Sequence, residues 1–297
     1  MTSWTGKTKG NLLGYKFFIL LINSNIKFAY ILLFPVTFFY LLVSNKKSSK
    51  YYFTKIHGYG TFKTIVSIYK NYLLLGRVII DKIALLSGKK HKYTFDFEGE
   101  EFLRQMVDLN KGGLLLGAHM GNWEIAGQLL ERIDTTVNIV MLDAEREKIK
   151  KLLDDVLVKK NVNIIAVKND FSHLFAITKA FENNEFVVMH GDRFMDGANN
   201  ITVNFLGKEA RFPSGPLYLA SKNKVPVSFV FTLKETNTHY HFYATKGKVF
   251  KYPGKIKTRK EDLKIMVNEY VQTLEHIIRK YPLQWFNYYP FWNEENK

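Results

Sequence analysis

The chain has 297 residues, 46% of them hydrophobic and 15% aromatic, enough to build one large α/β domain with appendages and too apolar for a disordered chain. Its 43 Lys and Arg against 27 Asp and Glu leave a formal charge of +16, a field that attracts anionic lipid headgroups, an acidic carrier protein or nucleic acid. The absence of cysteine excludes disulfides, thiolate metal sites and a cysteinyl acyl-enzyme.

The first predicted element is apolar. From Tyr15 to Val43 the sequence is mostly aliphatic and aromatic, and Ile26 to Val43 is broken only by Lys27, Pro35 and Thr37, close to the ~18 residues of a membrane-spanning candidate. Lysines flank it on both sides, Lys7, Lys9 and Lys16 before and Lys46, Lys47, Lys50 and Lys55 after, so the positive-inside rule assigns no orientation. A shallow or hairpin-like anchor fits as well as a single span, and a buried helix pair of a soluble protein is the alternative. The late start of the apolar run and the lysines behind it argue against a cleaved signal peptide. We divide the chain into a membrane-anchoring segment, 1–50, and one catalytic domain, 51–297, in which 51–90 is a helical, aromatic-rich lead-in and 91–297 the α/β core.

In the core the periodicity predicts a strand over Tyr93–Phe97, a helix over Glu100–Asp108 and a short interior strand ending at Gly117. Strands follow at Val137–Leu142, Val162–Val167 and Phe186–Met189, with helices at Glu145–Val158 and Ser172–Glu182 between them. Pro216–Ser221 reads as a short helix, Val227–Leu233 and Tyr240–Ala244 as a hairpin, and Glu261–Arg279 as a long helix. This alternation indicates a sheet that is partly parallel and mixed towards its end.

The segment Gly112-Gly113-Leu114-Leu115-Leu116-Gly117-Ala118-His119-Met120-Gly121-Asn122-Trp123-Glu124 carries the most chemistry. Asn122 opens an amphipathic run, Trp123, Ile125, Ala126, Leu129 and Leu130, so His119 falls in the turn between strand and helix, where open α/β sheets place their ligands. A histidine there can take a proton from a hydroxyl, and a carboxylate such as Glu124 can hold the ring in the required tautomer. Residues five apart do not share a helical face, so the pair works only where the turn re-aims one of them. The alternative is a hydrogen-bonded turn histidine beside a solvated first-turn charge. Backbone amides near Gly121 and Asn122 are candidate donors to a developing oxyanion.

A second cluster, His190-Gly191-Asp192-Arg193-Phe194, follows the strand Phe186–Met189 and is expected at the same sheet edge. Asp192 and Arg193 are candidates for binding an acceptor headgroup or phosphate, since Arg suits bidentate capture of oxyanions; a loop salt bridge is the alternative. His190 reads as a satisfied core or turn residue rather than a ligand. His119, His173 and His190 lack zinc-like spacing, so no metal and no cofactor is expected. No G-x-S-x-G elbow supports a covalent serine route. Gly117-x-x-x-Gly121 is not the G-x-G-x-x-G of a dinucleotide-binding oxidoreductase. No nucleic-acid-binding motif accompanies the charge, whose densest early cluster directly follows the apolar segment, so a membrane surface is the preferred partner. A non-catalytic basic membrane adaptor would explain charge and anchor but not the polar residues at strand ends.

The stretch GAHMGNWE resembles the His-x4-acid motif of the lipid A late acyltransferases and, more broadly, of the glycerol-3-phosphate and lysophospholipid acyltransferases. Further ordered blocks carry the same resemblance: GDRF from Gly191, NFLGKEARFPSGP from Asn204, Leu219-Ala220, Val225-Pro226-Val227, and the ending Pro282-Leu283-Gln284-Trp285. The resemblance implies a glycerol-3-phosphate-acyltransferase-like mixed sheet flanked by helices, with His119 as general base on an acceptor hydroxyl or amine and Glu124 orienting it. It also implies an acyl thioester donor on acyl carrier protein or coenzyme A, a lipid acceptor, and a location at the cytoplasmic face of the bacterial inner membrane. Glycerolipid members commonly carry Phe-Pro-Glu-Gly-Thr-Arg at the strand end where this chain has His190-Gly191-Asp192-Arg193, and the block Met141–Arg146 lacks the arginine motif expected for a lipid A acceptor. The carboxyl-terminal aromatic residues read as packing.

Overall fold

The computed structural model describes residues 26–86, 92–123, 125, 132–142, 162–168, 170–194 and 197–292. Its first helix, α1 (Ile26–Val43), is followed by the short α2 (Lys47–Tyr51), a π-helical turn (Tyr52–Ile56) and the long α3 (Thr61–Leu86). The core then runs β1 (Thr94–Glu98), α4 (Glu100–Asp108), β2 (Gly113–Gly117), β3 (Val137–Leu142), β4 (Val162–Val167), α5 (Ser172–Glu182) and β5 (Phe186–His190). It continues through β6 (Asn200–Phe205), β7 (Lys208–Pro213), α6 (Gly215–Asn223), β8 (Pro226–Lys234), β9 (His239–Ala244), β10 (Lys248–Val249) and α7 (Arg259–Lys280).

The main sheet has the order β1-β9-β8-β2-β5-β3-β4, with β10 added beside β8. β2 lies parallel to both neighbours, β5 and β8, and β3 is parallel to β4 and β5, whereas β8 and β9 form the expected antiparallel hairpin. Every residue of β2 is buried, as an interior parallel strand covered on both faces requires. Its leucines divide by the two-residue repeat: Leu114 and Leu116 join Val187, Phe229 and Phe231 beneath the face of α7 that carries Val267, Tyr270, Val271 and Leu274. Leu115 points the other way into a layer with Leu103 and Met106 of α4, Phe186 and Phe242.

The predicted mixed α/β architecture is the one observed. Small differences lie at element ends: β1 is shifted one residue to Thr94–Glu98, β5 runs on to His190, and α6 and α7 are longer than their apolar periods. The β6–β7 hairpin was not anticipated. Ile201, Val203 and Phe205 alternate with more exposed residues, but the two-residue turn is Leu206-Gly207, with φ of 53° and 88°, rather than the Asn-Gly that announces such a turn. The predicted helix over Glu145–Val158 lies outside the described residues, as do Arg146 and most of the amphipathic run predicted to follow Asn122.

α1 is long and apolar enough to cross a membrane. It lays a stripe of Ala29, Leu33 and Thr37, spaced at four residues, against α3. The approach is close: a Cβ added at Gly76 of α3 would lie 2.8 Å from Leu33 Cδ2. The rest of α1 is open, with Phe28, Ile31, Phe38, Phe39, Leu42 and Val43 all exposed.

Candidate active site

The register Gly117↔His190 places the ends of β2 and β5 side by side at one edge of the sheet. His119 and Asp192 each lie two residues beyond those partners, so the loops that leave the two strands bring them together. His119 Nδ1 is 2.8 Å from Asp192 Oδ1, and the His119 backbone N–H donates to Asp192 Oδ2 at 3.0 Å. Trp285 Nε1–H donates to the same Oδ2 at 3.2 Å. Burial raises the proton affinity of the Asp192 carboxyl, but the adjacent charge and hydrogen bond of His119, helped by Arg193, outweigh it and hold the group well below the usual carboxylate range. An ionised Asp192 accepting at Oδ1 fixes His119 as the Nδ1–H tautomer, which leaves Nε2 as the basic nitrogen.

The turn carrying His119 is held on both sides. The Phe286 N–H donates to the His119 carbonyl at 3.0 Å, and the Gly121 N–H donates to the Gln284 carbonyl at 2.9 Å, with Met120 paired antiparallel to Trp285 between them. On the other side the Asn122 N–H donates to the Thr232 carbonyl of β8 at 2.7 Å. Gly121 adopts a φ of +60°, and a Cβ there would stand 2.0 Å from the Thr232 oxygen; only glycine permits this crossing.

These contacts change several expectations. The amides of Gly121 and Asn122, expected to serve an oxyanion or bind substrate, are already committed to the carbonyls of Gln284 and Thr232. Asn122 is wholly buried, its side-chain amide donating to Tyr240 Oη at 3.2 Å, so both residues shape the turn. Asp192, expected to face a substrate headgroup, instead engages His119. Arg193 donates through Nη2 to the Phe286 carbonyl at 2.9 Å and lies 5.6 Å from the Tyr289 ring. Glu124 lies outside the described residues. The His190 ring lies 4.3 Å from that of His119, tilted at 57° to it, with Trp123 at 5.4 Å from both. Burial first, then the charges of His119 and Arg193, push the His190 imidazolium well below its ordinary range against the opposing pull of Asp192, so His190 is a neutral neighbour at physiological pH. Among the described residues no three metal-ligating side chains gather.

A buried ionic hub supports the same turn, and sequence reasoning missed it. Asp81 of α3 and Lys234 of β8 pair at 2.5 Å with both side chains almost fully buried. Tyr93 Oη donates to Asp81 at 2.9 Å, and the hydroxyls of Tyr30 and Tyr240 also bond to it. Tyr240 in turn receives the Asn122 amide, and Gln284 clasps the Lys234 backbone, accepting from its N–H at 2.9 Å and donating to its carbonyl at 2.7 Å. The signals were an acid within the run Val78–Leu85, which is apolar but for Asp81 and Lys82, and a lysine closing the otherwise uncharged strand β8. The carboxyl-terminal segment was missed in another way: its residues were noticed, but as packing, whereas Gln284, Trp285 and Phe286 bond directly to the turn that carries His119 or to the Asp192 carboxylate.

With this geometry in view, the model of the bacterial lipid A biosynthesis acyltransferase family matches residues 65–293. Among solved structures the chain is similar to the 1-acyl-sn-glycerophosphate (LPA) acyltransferase PlsC from Thermotoga maritima, with 15% identity, a TM-score of 0.37, and coverage of 83% of this chain and 97% of that one. No curated protein matches the sequence.

Proposed function

The chain belongs to the bacterial lipid A biosynthesis acyltransferase family and is an acyltransferase acting on lipids, and we propose that within this activity His119 is the general base and Asp192 the carboxylate that orients it. Membership of an enzyme family sets aside the non-catalytic adaptor and the oxidoreductase. The observation that carries the assignment is the 2.8 Å contact between His119 Nδ1 and a buried, ionised Asp192 at the carboxyl edge of adjacent parallel strands. Nε2 takes the proton of an acceptor hydroxyl or amine while the acceptor oxygen or nitrogen bonds to the carbonyl carbon of an acyl thioester. The tetrahedral intermediate then expels the thiolate, which recovers that proton from the imidazolium. Asp192 stabilises the imidazolium between the two steps, and Glu124, the acid of the His-x4-acid motif, is the second carboxylate of the proposed catalytic set. The donor thioester is carried by acyl carrier protein or coenzyme A.

Membrane association through α1 belongs to the same proposal, with 1–50 as the anchoring segment and the cytoplasmic face of the inner membrane as the location. A shallow seat fits better than a span. Arg77 of α3 sits 5.4 Å from the Tyr30 ring and 5.9 Å from that of Phe34, near the middle of α1. If α1 crossed a bilayer upright, this guanidinium would lie near the midplane at a cost of about 2.5–3.5 kcal/mol or more. Laid in the interface, α1 buries its exposed phenylalanines and leucines among acyl chains and leaves Arg77 at headgroup depth.

The test is turnover by the purified full-length protein in detergent. Acyl carrier protein and coenzyme A thioesters are offered with a bacterial lipid extract, following free-thiol release and the mass of the acylated product. His119→Ala is expected to lose at least ~10²-fold while staying folded, and Glu124→Gln to be slow but folded. Near-normal transfer by folded His119→Ala would remove the base. Salt alone should leave the protein on membranes, since it screens charge and not apolar burial; wild-type protein that is fully soluble after lysis without detergent would remove the anchor.

A further inference from the structure

We propose that Trp285 is a positioning residue for His119, setting the orientation and the proton affinity of the imidazole through the Asp192 carboxylate. The inference rests on the reading that places His119 and Asp192 at the reacting centre, but its first readout does not depend on turnover.

Asp192 receives three N–H groups, two of them from His119 itself. The third comes from Trp285, 93 residues away in the chain. A carboxylate held only by the residue it is meant to orient could turn with that residue. The indole donor pins Oδ2 to a different segment, so Oδ1 stays aimed at His119 Nδ1. Trp285 suits this task because its ring nitrogen donates and cannot accept, so it cannot replace Asp192 as the acceptor of the His119 Nδ1–H.

The indole is itself locked. Trp285 is 2% exposed, and its ring meets Tyr52 at 5.3 Å, Phe205 at 5.6 Å, Phe291 at 5.1 Å and Trp292 at 5.7 Å, all at steep interplanar angles. These edge-to-face contacts leave it no other rotamer without opening the core. Its carbonyl accepts from Asn71 Nδ2 at 3.2 Å, and its backbone pairs with Met120 beside His119. One residue thus grips the catalytic turn by its main chain and the orienting carboxylate by its side chain.

The electrostatic consequence has a definite sign. A hydrogen bond to Asp192 Oδ2 draws off part of the charge that would otherwise stabilise the imidazolium. Removing that bond concentrates the charge on His119 and raises its proton affinity. It also loosens the ring, so the proton is both less well aimed and harder to return to the leaving thiolate.

The experiment uses the full chain carrying Trp285→Phe and, separately, Trp285 replaced by β-(3-benzothienyl)alanine, which keeps the bicyclic shape and lacks only the N–H. The His119 ring is titrated by NMR with labelled histidine, and kcat, acceptor KM, their pH profiles and the melting temperature are measured in parallel. Both variants are expected to move the His119 titration and the acid limb of kcat upward together by roughly half a pH unit. They should lower kcat about tenfold, leave acceptor KM unchanged, and, for the benzothienyl variant, leave the melting temperature within a degree or two of wild type. An unmoved His119 titration in the benzothienyl protein overturns the inference whatever happens to the rate, and so does a fall in kcat that only tracks thermal stability. If His119→Ala keeps its turnover while the titration shifts as expected, the general-base reading fails and the coupling of Trp285 to His119 stands.

Discussion

Asp192→Asn is the most informative substitution, because the amide has nearly the shape of the carboxylate but cannot accept at both ends. Asp192 accepts from His119 Nδ1 at Oδ1 and from the His119 backbone N–H and Trp285 Nε1 at Oδ2. If the amide oxygen stays opposite Nδ1, its NH2 group confronts two buried donors, each left unsatisfied at about 1–3 kcal/mol. The flipped amide keeps both bonds at the Oδ2 position and turns its NH2 towards Nδ1. That forces the ring into the Nε2–H tautomer, with no lone pair on the nitrogen that must take the proton. A carboxylate-to-amide change of this kind in a serine-protease triad costs ~10⁴ in kcat by the same error of tautomer, and we expect a loss of about 10³–10⁴ here. The flipped form preserves the number of hydrogen bonds and loses only their charge assistance, so the stability cost is modest, about 1–2 kcal/mol. That cost depends on pH in a fixed direction. The fold depresses the Asp192 proton affinity below its unfolded value near ~3.9, so the ionised group stabilises the native state fully above about pH 5, and the contribution fades as pH falls below about 4 towards the folded value. The gap in melting temperature between wild type and Asp192→Asn should therefore be widest near neutrality and narrow in acid. Thiol release gives kcat, and the ¹⁵N shifts of the His119 ring give the tautomer. A folded Asp192→Asn protein that keeps a tenth of wild-type kcat, or keeps the Nδ1–H form, would refute the reasoning.

Three further outcomes follow from the surroundings of the turn. Lys234→Met strands the fully buried Asp81 and should destabilise by about 3–5 kcal/mol, with much of the loss recovered in Asp81→Asn/Lys234→Met; denaturant melts that show equal losses in the single and double variants would contradict this. Gly121→Ala places a Cβ 2.0 Å from the Thr232 oxygen at a φ of +60°, so the turn must shift, with at least ~1–2 kcal/mol lost and a disproportionate fall in kcat. An unchanged melt and rate would show that the turn tolerates the side chain. Arg193→Ala removes the bond to the Phe286 carbonyl and the contact with Tyr289, so it should lower the melting temperature and kcat while changing acceptor KM little; a raised acceptor KM with an unchanged melt would return Arg193 to the role of binding the acceptor's oxyanion.

The sheet was legible because its signals are local. An interior strand such as Leu114-Leu115-Leu116 between glycines, or a helix such as Ser172–Glu182 with its apolar face, announces itself within a dozen residues, and the observed boundaries fall within a residue or two of the periodicity. The β6–β7 hairpin escaped for an equally local reason, since Leu206 supplies a positive φ that its side chain gives no reason to expect. Placing His119 and Asp192 at the same edge also follows from local reading, because both continue parallel strands. What each does with the other is set by register. A shift of one residue in the pairing of β2 with β5 would have faced Asp192 away from His119, and no pattern within either segment fixes that register.

The supports of the turn were out of reach for a deeper reason. Asp81, Lys234, Tyr240 and Gln284 come from α3, β8, β9 and the residues after α7, and each taken alone has an ordinary explanation on the surface or in a core. Their meaning lies in mutual satisfaction: a buried ammonium and carboxylate are tolerable only when their remaining donors and acceptors find partners, and here the network reaches the turn through the Asn122 side-chain amide on Tyr240 and the Gln284 carbonyl that accepts from the Gly121 N–H. If His119 is the base proposed above, it must be held steady while a long, flexible lipid enters and leaves, and a loop fixed only by its own two flanking elements would move with the substrate. Bonding the loop to β8 on one side, to the carboxyl-terminal segment on the other, and through Tyr240 and Asp81 to Tyr30 of α1 ties the orientation of His119 to the whole fold, including the apolar helix α1. Local unfolding of the carboxyl-terminal segment would then release the His119 turn, the Asp192 carboxylate and the Lys234 backbone together, because Gln284 and Phe286 hold the turn, Trp285 the carboxylate and Gln284 the Lys234 backbone.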